Sequence, residues 1–211
     1  MTDYVASYYA ATRLAAPAHP PLAGDVDCDV CVVGAGIAGT STALHLAQRG
    51  YRIVLLEAAR VGWGASGRSG AQALFDVAAG EEKTAALIGP ADARRIWDMT
   101  VEGLDLMRDL IARHAIACDY VPGQMHVAVK ARQVVDLRRW VDRLHERYGY
   151  TSLRFLPEEE VRALIASDRY LGGTFDARSG HLHPLNYTLG LAAAATSAGV
   201  RIFEGSRALG W

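Results

Sequence analysis

The sequence predicts an α/β chain in which a parallel sheet with flanking helices is interrupted by an inserted α+β segment. Three observations predict it. An apolar run, Val30 to Val33, leads directly into Gly34-x-Gly36-x-x-Gly39 and a helical pattern. A second strand-like run, Arg52 to Leu56, follows that helix and ends at Glu57. Near the C-terminus an alanine-rich helix and the run VRIFE repeat the helix–strand order after a long, differently patterned stretch. At 211 residues, 51% hydrophobic and 21% charged, with a formal net charge of −1, the chain suits one or two globular domains with a real core. That balance lacks the basic excess that binding a nucleic acid requires. No apolar run is long enough to span a bilayer, and no basic flank followed by an apolar stretch marks a secretory signal. A cytoplasmic location is therefore expected.

Residues 1–27 read as an N-terminal arm. Val30 to Val33, apolar throughout, suit a strand buried on both faces. Cys28 and Cys31 spell C-x-x-C, but strand alternation sends them to opposite faces, so small buried residues are expected there and not a redox or metal pair. Ala43, Leu44, Leu46 and Ala47 mark a helix that begins inside the glycine motif and stops at Gly50. GWGASGRSGAQ, residues 62–72, is too rich in glycine and serine for a helix or an interior strand. Residues 91–114 carry an apolar stripe at Ile96, Met99, Val101, Leu104, Met107, Leu110 and Ile111, with both methionines expected in the core. After a Pro122-Gly123 turn, Gln124 to Lys130 alternate as a strand. Residues 132–148 form an amphipathic helix, and EEEVRALI, after Pro157, starts another with acids in its first turn. Residues 172–184 suggest a strand and a turn, Asn186 to Ser197 a helix closed by Gly199, and Val200 to Glu204 a strand.

The glycines have separate physical tasks. Gly34 allows the strand-to-helix turn, Gly36 lets the backbone approach a diphosphate, and Gly39 lets the helix lie close to the sheet. The helix N-terminus offers free N–H groups and partial positive charge. Glu57, 23 positions after Gly34, can accept from ribose hydroxyls and disfavours a 2′-phosphate. Strand, motif, helix, second strand and acid together define a Rossmann-like βαβ unit and a dinucleotide site. The motif alone does not separate NAD from FAD. The 62–72 segment, at the C-terminal end of the second strand, lies where such sheets bind ligands. There Ser66 and Ser69 could bond phosphate or ribityl oxygens, and Arg68 could offset phosphate charge.

VVGAGIAGTSTALHLAQRGYRIVLLEA followed by GWGASGRSGAQ resembles the N-terminal half of the D-amino-acid-oxidase-like family of FAD-dependent oxidoreductases. The gamma-glutamylputrescine oxidase branch is the most similar part of that family, sharing an early Ser7-Tyr8-Tyr9 and an ASGRNGGQ-type loop. The resemblance implies FAD as cofactor and oxidation of a small-molecule amine or amino acid at a C–N bond. Hydride goes to the flavin, the imine hydrolyses, and oxygen or an electron acceptor reoxidises the flavin. By position, Gly34, Gly36, Ile37, Ala38 and Gly39 would hold the pyrophosphate, and Glu57 with Ala58 the adenosine ribose. Ser66, Gly67, Arg68, Ser69, Gly70 and Gln72 would run towards the isoalloxazine, and Ala208 would border the adenine. Ser69 stands where the family commonly has Asn, and Ala71 where it has Gly. The implied architecture is a Rossmann-like FAD-binding sheet with an inserted α+β substrate domain, incomplete at the C-terminus. Residues 28–80 would be the first part of the FAD-binding domain, 81–182 a partial substrate-domain insertion and 183–211 the return segment.

That layout implies an N-terminal portion of a longer enzyme, or a truncated reading frame, because the family's second half carries a strand covering the outer side of the first one. No residue here is an evident catalytic acid–base pair. His181 and His183 flank Leu182 and would share a strand face, but no third ligand of suitable spacing joins them, so no metal site is expected. His114, His126 and His145 read as ordinary hydrogen-bonded histidines. Two alternatives remain: a NAD-linked dehydrogenase on the same βαβ unit, and a non-catalytic dinucleotide-fold remnant acting as a partner for another chain.

Overall fold

The computed structural model describes residues 3–210, which fall into two compact units. The first is built from the described parts of Met1–Ala71, Met107–Tyr120 and Leu182–Trp211, and the second from Gln72–Leu106 and Val121–His181. In chain order the helices are α1 (Tyr8–Thr12), α2 (Ile37–Gln48), α3 (Glu81–Ile88), α4 (Pro90–Arg113), α5 (Ala131–Tyr148), α6 (Glu158–Leu164) and α7 (Pro184–Ser197). The strands are β1 (Val30–Val33), β2 (Ile53–Leu56), β3 (Gln72–Ala73), β4 (Val121–Ala128), β5 (Leu153–Pro157), β6 (Gly172–His181) and β7 (Arg201–Phe203).

The first unit holds a parallel sheet in the order β1-β2-β7, with Val30 opposite Ile53 and Leu55 opposite Ile202. Its strands are short and apolar, and the helices that connect them pack against each other, α2 on α7. Small residues on α7, Ala192, Ala194 and Ala195, are buried and permit that close approach. Leu44, Ile53, Leu55, Leu185 and Leu191 are fully buried, each contributing about 1.5–3 kcal/mol by leaving water. Gly50 and Gly199 end α2 and α7 with φ +91° and +92°, the left-handed backbone that glycine reaches without strain.

β1 departs from expectation. It is an edge strand among the described residues, and its side chains alternate instead of being buried throughout. Val33 is 62% exposed and Cys31 is exposed, while Cys28 precedes the strand and is half-buried. The expectation of two buried cysteines fails because an apolar run reports what a strand can bury, whereas its place in the sheet decides what it does bury.

The second unit is an antiparallel sheet in the order β3-β6-β4, with β5 also paired to β6. Phe75, Trp97, Trp140 and Tyr150 form an aromatic cluster there, with Phe75 and Tyr150 ring centroids 4.7 Å apart. Asp176, fully buried, accepts hydrogen bonds from the Tyr150 hydroxyl and the Ser179 amide at 2.9 Å each. Burial, then the adjoining carboxylate, pushes the Tyr150 phenol far up. Arg143 ties α5 to α3 through Glu81 at 2.8 Å.

Three readings of this region need correcting. Pro122-Gly123 is not a turn before β4 but lies inside it, where the register shifts between Pro122 and Gln124 and Gly123 takes φ +106°. A bulge on a strand that has, among the described residues, only β6 as partner accommodates a residue that has no N–H to donate. Met99 is 67% exposed, and the buried positions of α4 are Ala93, Trp97, Leu104 and Leu110. Met99 lies two residues from Trp97, hence on the far side of the helix. His114, expected to be hydrogen-bonded, has a buried Nε2 with no partner among the described residues.

Candidate cofactor site

The site begins where β1 runs out. Gly34 takes φ +98° and donates its N–H to Leu56 O at 2.7 Å, turning the chain away from the sheet. Gly36 caps α2 in extended conformation. A Cβ on Gly39 would stand 1.9 Å from Gly34 O, so the turn and the helix can approach this closely only without a side chain there. Gly36 is different: a Cβ there would meet only the Ser66 hydroxyl, at 2.7 Å. Its glycine makes room for the Ser66 hydroxyl, which holds the first amide of α2.

A helix N-terminus leaves its first amides without intrahelical acceptors. In α2, Thr40 donates to Gly36 O, and Ile37 donates to Ser66 Oγ at 3.0 Å. The amides of Gly36, Ala38 and Gly39 have no acceptor among the described residues. Those orphan donors, beside the positive end of a 12-residue helix, make an anion cradle of the kind a diphosphate fills.

Glu57 closes the other side. Its Oε2 accepts from Ala35 N and its Oε1 from Ala59 N, both at 2.8 Å. One carboxylate thus fixes both the glycine turn and the chain leaving β2, a structural task that reading the sequence missed. Two carboxylate oxygens offer about four acceptor positions, so capacity remains for hydroxyl donors. Ala58, beside it, is exposed.

The 62–72 segment is folded, not loose. Gly62 donates to Ala35 O at 2.8 Å, and residues Ala65–Gly67 make a 3-10 turn that delivers Ser66 to α2. A Cβ on Gly67 would lie 2.2 Å from Gly62 O, and one on Gly62 would lie 2.9 Å from Leu185 Cδ1. The bareness of these two glycines therefore serves the folding of the loop onto itself and onto α7. Arg68 donates to Gly64 O at 3.3 Å and stacks 5.1 Å over Trp63, so its guanidinium serves the loop. Ser69 and Gly70 are exposed, Ser69 Oγ accepting weakly from Ala71 N at 3.4 Å. Gln72 belongs to the second unit, where it pairs with His181 in β3. Beyond β7, Gly205 donates to Ala59 O and Ser206 to Glu57 O, which brings the segment carrying the partly buried Ala208 alongside the chain after β2.

The two histidines around Leu182 do not share a strand. His181 ends β6, whereas His183 is the N-cap of α7, its Nδ1 accepting from Asn186 N at 3.1 Å. Among the described residues no cluster of three or more His, Cys, Asp or Glu could hold a metal ion, and no helix is long and apolar enough to cross a membrane.

Glycine turn, orphan amides, acid and parallel sheet together define a dinucleotide-binding α/β protein. Over residues 29–211 the sequence matches the DAO family of FAD-dependent oxidoreductases, and the chain belongs to that family. The family's cofactor is FAD, and the donor set suits its diphosphate: the amides of Gly36, Ala38 and Gly39, at the N-terminus of α2, have no acceptor among the described residues. The chain is 41% identical to a probable oxidoreductase, OrdL, of Haemophilus influenzae, over 97% of its own length and 47% of the relative's. It is 40% identical to the gamma-glutamylputrescine oxidoreductase of Escherichia coli, over 97% of its length and 48% of the relative's. It thus spans about half the length of the curated relatives it matches. An L-amino acid deaminase from Proteus myxofaciens shares the fold with a TM-score of 0.73 at 23% identity, over 92% of this chain and 41% of that one. A glycine oxidase from Bacillus cereus aligns with a TM-score of 0.59 at 22% identity, over 85% and 46%.

Proposed function

We propose that this chain is the cofactor-holding part of an FAD-dependent oxidoreductase that oxidises a C–N bond of an amine or amino acid, with a gamma-glutamylputrescine-like substrate favoured. The observation that carries the reading is the set of orphan amides at Gly36, Ala38 and Gly39, at the N-terminus of α2. The names of the relatives support the substrate class, since one is a gamma-glutamylputrescine oxidoreductase and the fold neighbours include an amino acid deaminase and a glycine oxidase.

In this reading the amides from Gly36 to Gly39 and the Ser66 hydroxyl hold the pyrophosphate, Glu57 and Ala58 the ribose, and Ala208 borders the adenine. Ser69, Gly70 and Gln72 continue towards the flavin ring. The first unit is the cofactor-binding part and the second the substrate side, so the 107–120 segment, which the sequence layout gave to the insertion, goes with the cofactor-binding part. FAD, when bound, supplies the acceptor for a hydride from the substrate carbon, leaving an imine that water hydrolyses, with hydrogen peroxide as product where oxygen reoxidises it. This chain's own contribution is binding and orientation.

The test is a visible spectrum and a binding titration of the purified chain with FAD. Wild type is expected to take up the flavin and turn yellow. Gly36→Val is expected to lose it and also to unfold at a somewhat lower urea midpoint, because the new Cβ displaces the Ser66 hydroxyl from the Ile37 amide, while its circular dichroism stays that of a folded protein. A Gly36→Val protein of undiminished colour overturns the site, and a wild type that prefers NAD overturns the cofactor assignment.

A further inference from the structure

The N-terminal arm is bound at its start and again near its middle, and its start grips the loop of the candidate site. Tyr4 donates its hydroxyl to Val61 O at 2.8 Å, and Trp63 donates Nε1–H to Asp3 O at 2.9 Å. Arg60 pairs with Asp3 at 3.1 Å and lies 5.4 Å over the Tyr4 ring. The buried Glu204 carboxylate accepts from Val61 N at 2.8 Å and, in the arm, from His19 N at 3.3 Å. The gripped residues lead into Gly62, which bonds Ala35, and Ser66, which bonds the first amide of α2.

Near its middle the arm is fastened to α7. Leu14 N donates to Asn186 Oδ1 at 2.9 Å, and Thr12 Oγ1 lies 3.1 Å from His183 Nε2. His183 Nδ1 already accepts the Asn186 amide, so the neutral ring carries its proton on Nε2 and donates to Thr12, whose own hydroxyl donates to Tyr8 O at 2.7 Å. A second proton would sit on Nδ1, against the Asn186 N–H and the positive end of α7. The groups facing the ring are Tyr8 and Tyr9 of α1, with centroids at 6.4 and 5.1 Å, and Asp119, whose charge favours protonation; Cys118 O accepts the His183 amide, and the first turn of α7 carries no acid.

We propose that the N-terminal arm is a strap that positions the 61–68 loop against the N-terminus of α2, with Tyr4 as positioning residue and neutral His183 as the latch. Burial outweighs Asp119 and holds His183 below the usual histidine value. The released state then takes up the proton first, so the latch is secure above about pH 6.5 and weakens as pH falls below it. The consequence for cofactor affinity rests on the proposed function; the strap itself does not.

Hydrogen-exchange mass spectrometry on the full chain, at about pH 7.5 and about pH 5.5 with intrinsic rates corrected, tests it. In wild type, residues 7–14 and 61–68 are expected to lose protection together at the lower pH. His183→Asn keeps an N-cap but cannot take a proton, so its exchange is expected to be the same at both values, whatever its level. Tyr4→Phe is expected to raise exchange in 61–68 and to weaken FAD binding about 3- to 10-fold, the effect of one hydrogen bond. An acid response that persists in His183→Asn, or a 61–68 loop indifferent to Tyr4→Phe, overturns the strap. Failure of wild type to bind FAD with the exchange pattern intact overturns the cofactor reading and leaves the strap supported.

Discussion

Ala71 adopts φ +66°, a left-handed conformation that costs a residue with a Cβ about 1–2 kcal/mol. Its carbonyl accepts from Leu182 N at 3.0 Å, so the local geometry is fixed by a partner far along the chain. Ala71 is also the position where the resembled family commonly carries glycine, and the backbone angle supplies the physical reason. Ala71→Gly is expected to raise stability by about 0.5–1 kcal/mol, the strain relieved less the entropy glycine adds to the unfolded chain, read as a higher urea midpoint. Gly36 and Gly39 show a second residue-scale distinction. Both belong to the same motif, yet only at Gly39 would a Cβ collide with backbone. The motif thus combines one glycine that backbone packing requires with one that makes room for the Ser66 hydroxyl.

At the scale of elements, Glu57 joins the end of β2 to the glycine turn before α2. Its two carboxylate oxygens hold amides on both sides, at Ala35 and Ala59, while its backbone bonds Phe203 of β7 and Ser206 beyond it. Glu57→Gln leaves one oxygen and turns an NH2 towards an N–H, setting donor against donor. A loss of about 1–3 kcal/mol is expected, visible as a lower urea midpoint with an unchanged slope. A midpoint equal to wild type would show that Glu57 serves the ligand alone. The spacing of Glu57 from the glycines was sufficient to nominate it, but its amide partners depend on how two loops meet and have no signature in the sequence.

For the whole molecule, the exposed edge of the parallel sheet is the feature with a physical consequence. β1 is apolar, pairs only with β2 among the described residues, and leaves Val33 62% exposed. An unprotected apolar edge is a template for pairing with other chains. Val33→Lys is expected to reduce self-association of the purified chain, measured by light scattering against concentration, with little change in unfolding midpoint. Equal scattering from both proteins would place any self-association elsewhere.

The sequence by itself determined the βαβ unit, the glycine motif and its acid, the long helices α4, α5 and α7, and the strand β7, whose place in the sheet came from the family resemblance. These follow from local periodicity and from backbone conformations that only particular residues reach, and both are written within a few neighbouring positions. Tertiary structure alone decided that the β1 side chains are only half covered, that Pro122-Gly123 is a bulge, that Trp97 and not Met99 faces the core, and that the arm reaches Val61 and His183. Each of these depends on partners distant along the chain, and a residue's environment is set by what packs against it, which local pattern does not encode.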